Sequence, residues 1–279
     1  RTGVFELLVL NRRMQETVRA GHAGAEGLQR LAAESGMRNL MADGVDKVLD
    51  GVNLTMPTGQ ITVVIGKSGV GKSVLLKHII GLLKPDSGQI FFDGQDMSQL
   101  AGRELREFKR RFAVLFQGGA LFDSLNVFEN IAFPLREKTR LTEAEIAKRV
   151  RERLVQMSLT SEVEAKFPDE LSGGMKKRVA LARAMIQEPE IMFFDEPVTG
   201  LDPPMTNTVF HLITKTHQES GYTALIVSHD IPEVFGVAHQ VAMLHQGRII
   251  AAGTPEEIQN HTDPMVQSFI RGEVDFLEG

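Results

Sequence analysis

The chain has 279 residues, and its composition, 42% hydrophobic and 24% charged, is that of an ordinary globular protein. The net charge of −5 gives no overall basic field that would attract nucleic acid, and the absence of cysteine excludes disulfides and thiolate metal sites. No apolar run approaches the roughly 18 residues that span a bilayer, so we expect a partner to supply any membrane-spanning part.

The N-terminal residues 1–36 are rich in helix-forming side chains, but glycines between residues 21 and 27 weaken a helix in the middle. We interpret this segment as an extension without a chemical role. Its first apolar stretch precedes Arg12 and Arg13, which is the reverse of the order in a secretory signal.

The next predicted elements lead into a glycine-rich loop. Residues 47–56 alternate apolar and polar side chains, which predicts a half-buried strand, and Pro57 to Gly59 predict a turn. The β-branched run 61–65 predicts a second strand. The pattern G-x-x-x-x-G-K-S follows it directly and precedes a helix-like pattern at 74–80.

This loop, placed between a strand and a helix, predicts a nucleotide-phosphate site. Its glycines allow successive N–H groups to point at an anion, and the following helix adds the positive end of its dipole. Lys72 supplies a cation for the phosphates, and the Ser73 hydroxyl is suited to bind Mg²⁺. The predicted phosphate-binding residues are Gly66, Lys67, Ser68, Gly69, Val70, Gly71, Lys72 and Ser73.

Strand and helix patterns continue after this loop. Residues 89–92 predict a strand followed by a turn, Arg103 to Arg111 a charged helix, and 112–116 a buried strand that ends at Gln117. Because glutamates are interleaved with the basic residues of that helix, we interpret it as a solvated face and not as a nucleic-acid patch.

Residues 123–170 change character and predict an all-helical insert. Few β-branched runs occur there, and polar residues suited to N-caps precede each helical pattern. Thr142 and Glu145 also fit a capping box. The predicted helices are 126–134, 142–157 and a short piece at 161–166, with Asp123, Thr142 and Ser161 as N-caps.

The last part of the chain alternates strands and helices. The apolar run 191–194 predicts a central strand that delivers Asp195 and Glu196 at its C-terminal end. A second buried strand at 223–228 ends just before His229. This alternation predicts an α/β core.

The glycine loop, Gln117, the segment Leu171-Ser172-Gly173-Gly174-Met175, the strand acids and His229 occur in the order found in one family. In this series the chain resembles the ATP-binding subunits of ABC transporters over about residues 47–270. The resemblance implies an α/β P-loop NTPase core with an antiparallel β subdomain and an inserted α-helical subdomain. It implies an ABC ATPase domain at 37–270, with its helical subdomain at about 118–187, followed by a tail at 271–279.

ATP hydrolysis with Mg²⁺ is the activity that the resemblance implies. Glu196 is the expected general base, and Gln117 and His229 are the other expected catalytic residues. The Mg²⁺ ligands implied by the resemblance are Ser73, Gln117 and Asp195.

The segment after Leu171 is implied to act in trans. In the family, residues corresponding to Ser172, Gly173 and Gly174 contact the γ-phosphate held by another subunit, so a second copy of the chain completes each site. Asp202 would lie at the seam between the two copies.

Two departures from the family pattern affect this expectation. Met175 stands where the family usually has glutamine, so an amide contact is lost. No aromatic residue lies between residues 37 and 60 to stack on adenine, which leaves Leu40, Met41 or Val45 as contacts. The only tyrosine, Tyr222, lies on the wrong side of the chain for this purpose.

Within the family, L-S-G-G-M-K-K-R at 171–178 and the segments at 126–130 and 133–139 look like ATPases of Mla/Mce-type lipid transporters. That resemblance implies a transmembrane permease, an MCE-domain lipid-binding protein and a STAS-domain protein as partners. It also implies a peripheral location on the cytoplasmic face of the inner membrane.

Three alternatives remain open at this point. The cargo could instead be an amino acid, a metal or a drug, because a permease outside this chain selects it. A soluble ABC ATPase acting on DNA or ribosomes is disfavoured, since the chain has one cassette and only a short helical segment between Gln117 and Leu171. A degenerate scaffold is disfavoured by the intact Lys72, Asp195 and Glu196.

Overall fold

The computed structural model describes residues 49, 51–231 and 233–272, apart from the side chain of Ser98. Its elements lie in the unit that begins at Asp50. The expectations for residues 1–36, for the candidate adenine contacts at 40–45 and for the tail from 273 onward concern residues outside the described part. The proposed domain boundaries therefore stay predictions.

The strands of the described residues form one large sheet and one hairpin. They are β1 (Ile61–Ile65), β2 (Phe91–Phe92), β3 (Gln95–Asp96), β4 (Phe112–Leu115), β5 (Ile191–Asp195), β6 (Thr223–Ser228), β7 (Gln240–His245) and β8 (Arg248–Gly253). The large sheet has the order β4-β5-β6-β1-β7-β8. Its first five strands run parallel, and β8 pairs antiparallel with β7 at the edge. Strands β2 and β3 form the antiparallel hairpin.

The central strands are buried, as their apolar sequences predict. Every residue of β1 is buried, and only Thr223 of β6 is partly accessible. Parallel strands covered on both faces need such continuous apolar runs, because neither face of the sheet meets water. The predicted α/β architecture is confirmed.

Helices surround this sheet and form the insert. The α-helices of the described residues are α1 (Lys72–Ile79), α2 (Gly102–Lys109), α3 (Val127–Lys138), α4 (Glu143–Gln156), α5 (Gly173–Met185), α6 (Pro203–Ser220), α7 (Pro255–Gln259) and α8 (Pro264–Ile270). Across the part of the chain that the structure describes, none of them combines the length and apolar character that crossing a bilayer requires.

The insert between β4 and β5 is built from α3, α4 and α5, which pack against one another. Helix α3 was expected to end at Pro134, and this was wrong because the helix continues to Lys138. Pro134 removes one N–H donor, but Ile131 and Leu135 on either side are almost completely buried and hold the helix against its neighbours.

Helix starts in the insert were predicted in part. Thr142 accepts from the Glu145 N–H, and the Glu145 carboxylate accepts from the Thr142 N–H, which confirms the capping box. Asp123 is not the cap of α3, because Asn126 accepts from the Glu129 N–H at 2.8 Å. Nor is Ser161 a cap, since it is the first residue of a short 3₁₀ turn that follows Thr160.

One predicted strand is absent from the described residues. Positions 51–56 alternate between exposed and half-buried, as expected, but they form no strand. Alternation reports that one side of an extended segment faces the protein, whereas a strand also needs a neighbour for its backbone hydrogen bonds. The alternating pattern therefore predicted which side chains face the protein, but it could not predict backbone hydrogen bonds to a neighbouring strand.

Candidate active site

Four of the predicted motifs meet because each follows a parallel strand. The glycine loop follows β1, Gln117 follows β4, Asp195 ends β5 and Glu196 comes directly after it, and His229 follows β6. The C-terminal ends of parallel strands share one edge of the sheet, so residues far apart in sequence become neighbours there.

The glycine loop wraps around the ammonium group of Lys72. This group is buried and donates to the main-chain oxygens of Gly66 at 2.7 Å and Lys67 at 3.0 Å. A Cβ on Gly66 would lie 2.4 Å from the main-chain oxygen of Leu244, so only glycine fits against β7 at that point. Gly71, with φ of 107°, lies in the left-handed region at the start of α1.

Ser73 and Asp195 form a pair of oxygen ligands beside this loop. The Ser73 hydroxyl donates to Asp195 Oδ1 at 3.0 Å. Burial raises the pKa of Asp195, and the hydrogen bond from Ser73 acts in the opposite direction. A hydroxyl next to a half-buried carboxylate fits Mg²⁺, which prefers oxygen ligands and takes its remaining ligands from water and phosphate.

No group of three or more histidine, aspartate or glutamate side chains that could hold a metal occurs among the described residues. The Ser73–Asp195 pair is consistent with that finding, since Mg²⁺ is commonly bound through one or two carboxylates plus substrate phosphates and not by a complete protein cage. The residues therefore fit a Mg²⁺ ion that arrives with a nucleotide.

The carboxylate of Glu196 is the centre of the site. Its Oε2 accepts from Gln117 Nε2 at 3.2 Å and from the Thr199 hydroxyl at 3.1 Å. Its Oε1 lies 3.2 Å from His229 Nδ1 and 3.9 Å from Lys72 Nζ. An ionised carboxylate only accepts, so Nδ1 of His229 is the donor in this contact and Nε2 is the ring nitrogen left for a ligand.

The backbone of Glu196 is strained. Its φ is 48°, in the left-handed region that a residue with a Cβ seldom adopts, and its N–H donates to Val227 O at 2.9 Å. Such a conformation costs on the order of 1–3 kcal/mol and persists where the surrounding structure holds it. Here the contacts with Gln117, Thr199 and His229 fix the direction of the carboxylate.

Ser172, Gly173 and Gly174 lie at the start of α5, where Gly173 is next to Leu201 and Gly174 is next to Met205 of α6. Ser172 caps the helix by accepting from the Met175 N–H at 3.3 Å. A Cβ on Gly174 would lie 2.0 Å from Cε of Met205, so a larger residue there would require the flexible end of that methionine to move. Ser172 and Gly173 are exposed, which leaves the helix start open to a ligand from outside the chain.

Sequence reasoning missed the residues that hold Glu196 and the loop between β4 and α3, residues 116–126, which is called the Gln117 loop below. Lys177 donates to the main-chain oxygen of Gln117, and Arg183 donates to Gly119 O at 2.9 Å. Thr199, three positions after Glu196 in the sequence, donates its hydroxyl hydrogen to the Glu196 carboxylate. Lys177 lies within the run already noted for its family pattern, but its burial could not be known without the fold.

Comparisons with known proteins identify the family and several relatives of this chain. A family model described as ABC transporter matches residues 49–199. Over 240 residues the chain is 42% identical to the "Intermembrane phospholipid transport system ATP-binding protein MlaF" of Haemophilus influenzae, covering 86% of this chain and 90% of that protein. Over 229 residues it is 42% identical to the "Probable ribonucleotide transport ATP-binding protein mkl" of Mycobacterium tuberculosis, covering 82% of this chain and 64% of that protein.

Among solved structures, the chain resembles the dimeric post-hydrolysis state of the ATP-binding cassette MJ0796 bound to ADP and Pi. The TM-score is 0.68 at 31% sequence identity, and the match covers 74% of this chain and 90% of that chain.

Proposed function

The chain belongs to the ABC transporter family as an ATP-hydrolysing subunit, and we propose that the transport it drives is that of phospholipid between membranes. The observation that carries this proposal is the similarity to MlaF, which spans nearly the whole of that protein. The mkl protein is equally similar but extends well beyond the matched region, so it supports ribonucleotide cargo less directly.

The geometry supports specific roles for the site residues. We assign phosphate binding to the backbone N–H groups of residues 66–73 and to Lys72, whose ammonium already lies inside the loop. Ser73 and Asp195 would hold Mg²⁺, and Gln117 is the third ligand that we propose. When bound, Mg²⁺ neutralises charge on the phosphate oxygens.

Hydrolysis needs a base for the attacking water, and Glu196 is the residue we assign. Its carboxylate would take the water proton while the water oxygen bonds to the γ-phosphorus and the bond to the ADP oxygen breaks. Gln117 and Thr199 donate hydrogen bonds to Oε2 of Glu196. His229 donates to Oε1, so both carboxylate oxygens are held in place. We assign to His229 the additional role of contacting the γ-phosphate.

The complete site needs a second copy of the chain. Ser172 and Gly173 are exposed at the start of a helix of 13 residues, whose N–H groups and dipole favour an anion. We propose that they contact the γ-phosphate bound by the partner copy, with Asp202 at the seam. The dimeric form of the related cassette supports this arrangement.

The membrane partners belong to the same proposal. We infer a transmembrane permease, an MCE-domain lipid-binding protein and a STAS-domain protein, with the chain peripheral on the cytoplasmic face of the inner membrane. The test is purification of the chain from detergent extracts, followed by mass spectrometry of the proteins and lipids retained. Recovery of a permease with phospholipid supports the proposal, whereas a permease whose reconstituted vesicles move ribonucleotides and no phospholipid contradicts it.

Docking is expected near the exposed aromatic rings of the insert. Phe122 is 39% and Phe133 38% exposed, and their ring centroids lie 4.9 Å apart. The neighbouring Leu121 is partly buried against the core and is less available. A cavity of about 410 Å³ nearby is lined by Asp123, Phe167, Asp169 and Glu170.

Phe122→Glu should therefore abolish recruitment to permease-containing membranes while ATPase activity of the isolated chain persists. Charge on an apolar contact surface opposes burial against a partner. Val155→Glu is the matched control, because Val155 is 73% exposed on the same insert and should bind membranes normally. Co-sedimentation with membranes measures both variants. Loss of solubility or a much lower melting temperature for Phe122→Glu would instead place this ring in the core.

Adenine should be recognised weakly, because residues 37–60 contain no aromatic side chain to stack on the base. A competition experiment between GTP and ATP, monitored by calorimetry, gives the ratio of the two dissociation constants. We expect ATP to bind less than about a hundredfold more tightly than GTP, a difference of less than roughly 2.7 kcal/mol in binding free energy. A larger preference would reveal a base contact outside this stretch.

A further inference from the structure

Lys177 of α5 is buried, although lysine is normally among the most exposed residues. It is 7% exposed, and its ammonium donates to the main-chain oxygen of Gln117. Burial lowers the pKa of Lys177, and the carboxylates of Glu196 and Asp195 act in the opposite direction. Buried charges in proteins are usually paired, so a lysine at this position points to a specific task.

A second cation of α5 and one side chain of α3 hold the same loop. Arg183 donates to Gly119 O at 2.9 Å, and Asn130 donates to Phe122 O at 3.0 Å and accepts from the Phe122 N–H at 2.8 Å. Three consecutive parts of the Gln117 loop are thus attached to helices of the insert. A movement of α5 must carry the main chain of this loop with it.

The side chain of Gln117 completes the connection, because its Nε2 donates to Glu196 Oε2 at 3.2 Å. Lys177 lies one turn after Gly173, at the open start of α5. The helix start is therefore joined to Glu196 of the same chain through Lys177 and Gln117, with one hydrogen bond at each end of Gln117. This path runs from the start of α5 through Lys177 and Gln117 to Glu196. In the proposed mechanism, Lys177 is the residue of this path that has no contact with the nucleotide or with Glu196.

We propose that Lys177 is a positioning residue that transmits engagement of the Ser172–Gly174 segment to the catalytic carboxylate of its own chain. This rests on the proposed function, since the segment acquires a ligand only when a second copy presents its bound triphosphate. ATP bound by the partner then sets Gln117 and Glu196 in this chain. Hydrolysis by the dimer is consequently cooperative in ATP, and the cooperativity depends on Lys177.

The test compares full-length Lys177→Met with Lys177→Arg and with Lys176→Met, which removes the neighbouring charge on the same helix. The wild type should give a Hill coefficient between about 1.5 and 2, because the dimer has two sites. Lys177→Met should reduce it to about 1 and lower kcat roughly tenfold, with ATP affinity of the monomer unchanged. Lys177→Arg, which retains a charged donor, and Lys176→Met should behave as the wild type.

Lys177→Gln is a second variant that tests the same proposal if Lys177→Met does not fold. Its amide is uncharged and one heavy atom shorter than the lysine side chain, so its hydrogen bond to Gln117 O is longer and weaker, but a polar group remains in the buried position. The same loss of cooperativity is expected, with a melting temperature near that of the wild type.

Retention of the wild-type Hill coefficient in a folded Lys177→Met or Lys177→Gln overturns the proposal, as does an equal loss in Lys176→Met. These results leave the composite site intact, provided that ATP still drives dimerisation. A wild type with a Hill coefficient of 1 and no ATP-dependent dimer overturns the composite site itself and the role of Lys177 with it.

Discussion

Glu196→Gln should lose ATP turnover by about 10²–10⁴-fold while retaining ATP binding, because general-base catalysis typically contributes that factor. Glutamine has nearly the same shape and can keep contacts with Gln117 and Thr199, but it cannot accept the water proton. Phosphate release under saturating MgATP measures the turnover, and calorimetry measures the affinity. Lys72→Ala should show the converse effect, with nucleotide binding weakened because the loop loses its cation.

The matched control is Glu190→Gln. Glu190 precedes β5 at the end opposite to Glu196, and its carboxylate accepts from Arg111 at the surface. Exposed pairs of this kind contribute on the order of 0–1 kcal/mol, so the control should turn over ATP within about twofold of the wild type. Full activity in Glu196→Gln would show that another group accepts the proton.

ATP should convert the chain from monomer to dimer, and Ser172→Arg should abolish this conversion. In a Glu196→Gln background, MgATP persists in the site, and its γ-phosphate can form charge-assisted hydrogen bonds with the start of α5 in the second copy. ADP lacks the γ-phosphate and should leave the chain monomeric. An arginine at position 172 places bulk at this exposed helix start. Analytical ultracentrifugation distinguishes the two states.

Ser172→Arg also removes the N-cap of α5, which costs about 1 kcal/mol of stability. Ser172→Ala removes the same cap without adding bulk and keeps the main-chain N–H groups that would contact the γ-phosphate, so it should be destabilised similarly yet still dimerise. Ser161→Arg adds the same side chain at another exposed position of the insert and should dimerise normally. A dimer that forms equally well without nucleotide, and persists when residues 1–36 are removed, would contradict the proposed seam.

The α/β core could be predicted because buried parallel strands have unmistakable sequences. The runs at 61–65 and 223–228 are apolar and β-branched, and the structure begins and ends β1 and β6 at those residues. The segment 51–56 shows the limit of the method, since alternation gave the burial and could not show whether a partner strand was present. Similarly, Pro134 alone suggested a helix end, but tertiary packing of α3 overrides that local signal.

For the candidate site, sequence order indicated which residues converge but not how they are held. Glu196, Gln117 and His229 could be selected because they stand at motif positions of the family that the chain resembles, and in the structure Gln117 and His229 both contact Glu196. Lys177 and Thr199 could not be selected, because their roles depend on burial and on a distance across the fold. The same applies to Gly174, whose packing against Met205 is invisible in sequence.

The central claim, that ATP is hydrolysed in a site built from two copies, is tested most directly by mixing two inactive variants. Glu196→Gln retains an intact α5 start, and Ser172→Arg retains an intact Glu196, so a mixed dimer contains one complete site. An equimolar mixture should release phosphate faster than either variant alone, up to about a quarter of the wild-type rate, because random pairing would make half of the dimers mixed and each has one complete site of two. The rate should fall below this bound, since Ser172→Arg weakens pairing and blocks the segment that Lys177 connects to Glu196 in the same chain. No recovery above the separate variants, with both folded and binding ATP, would contradict the claim.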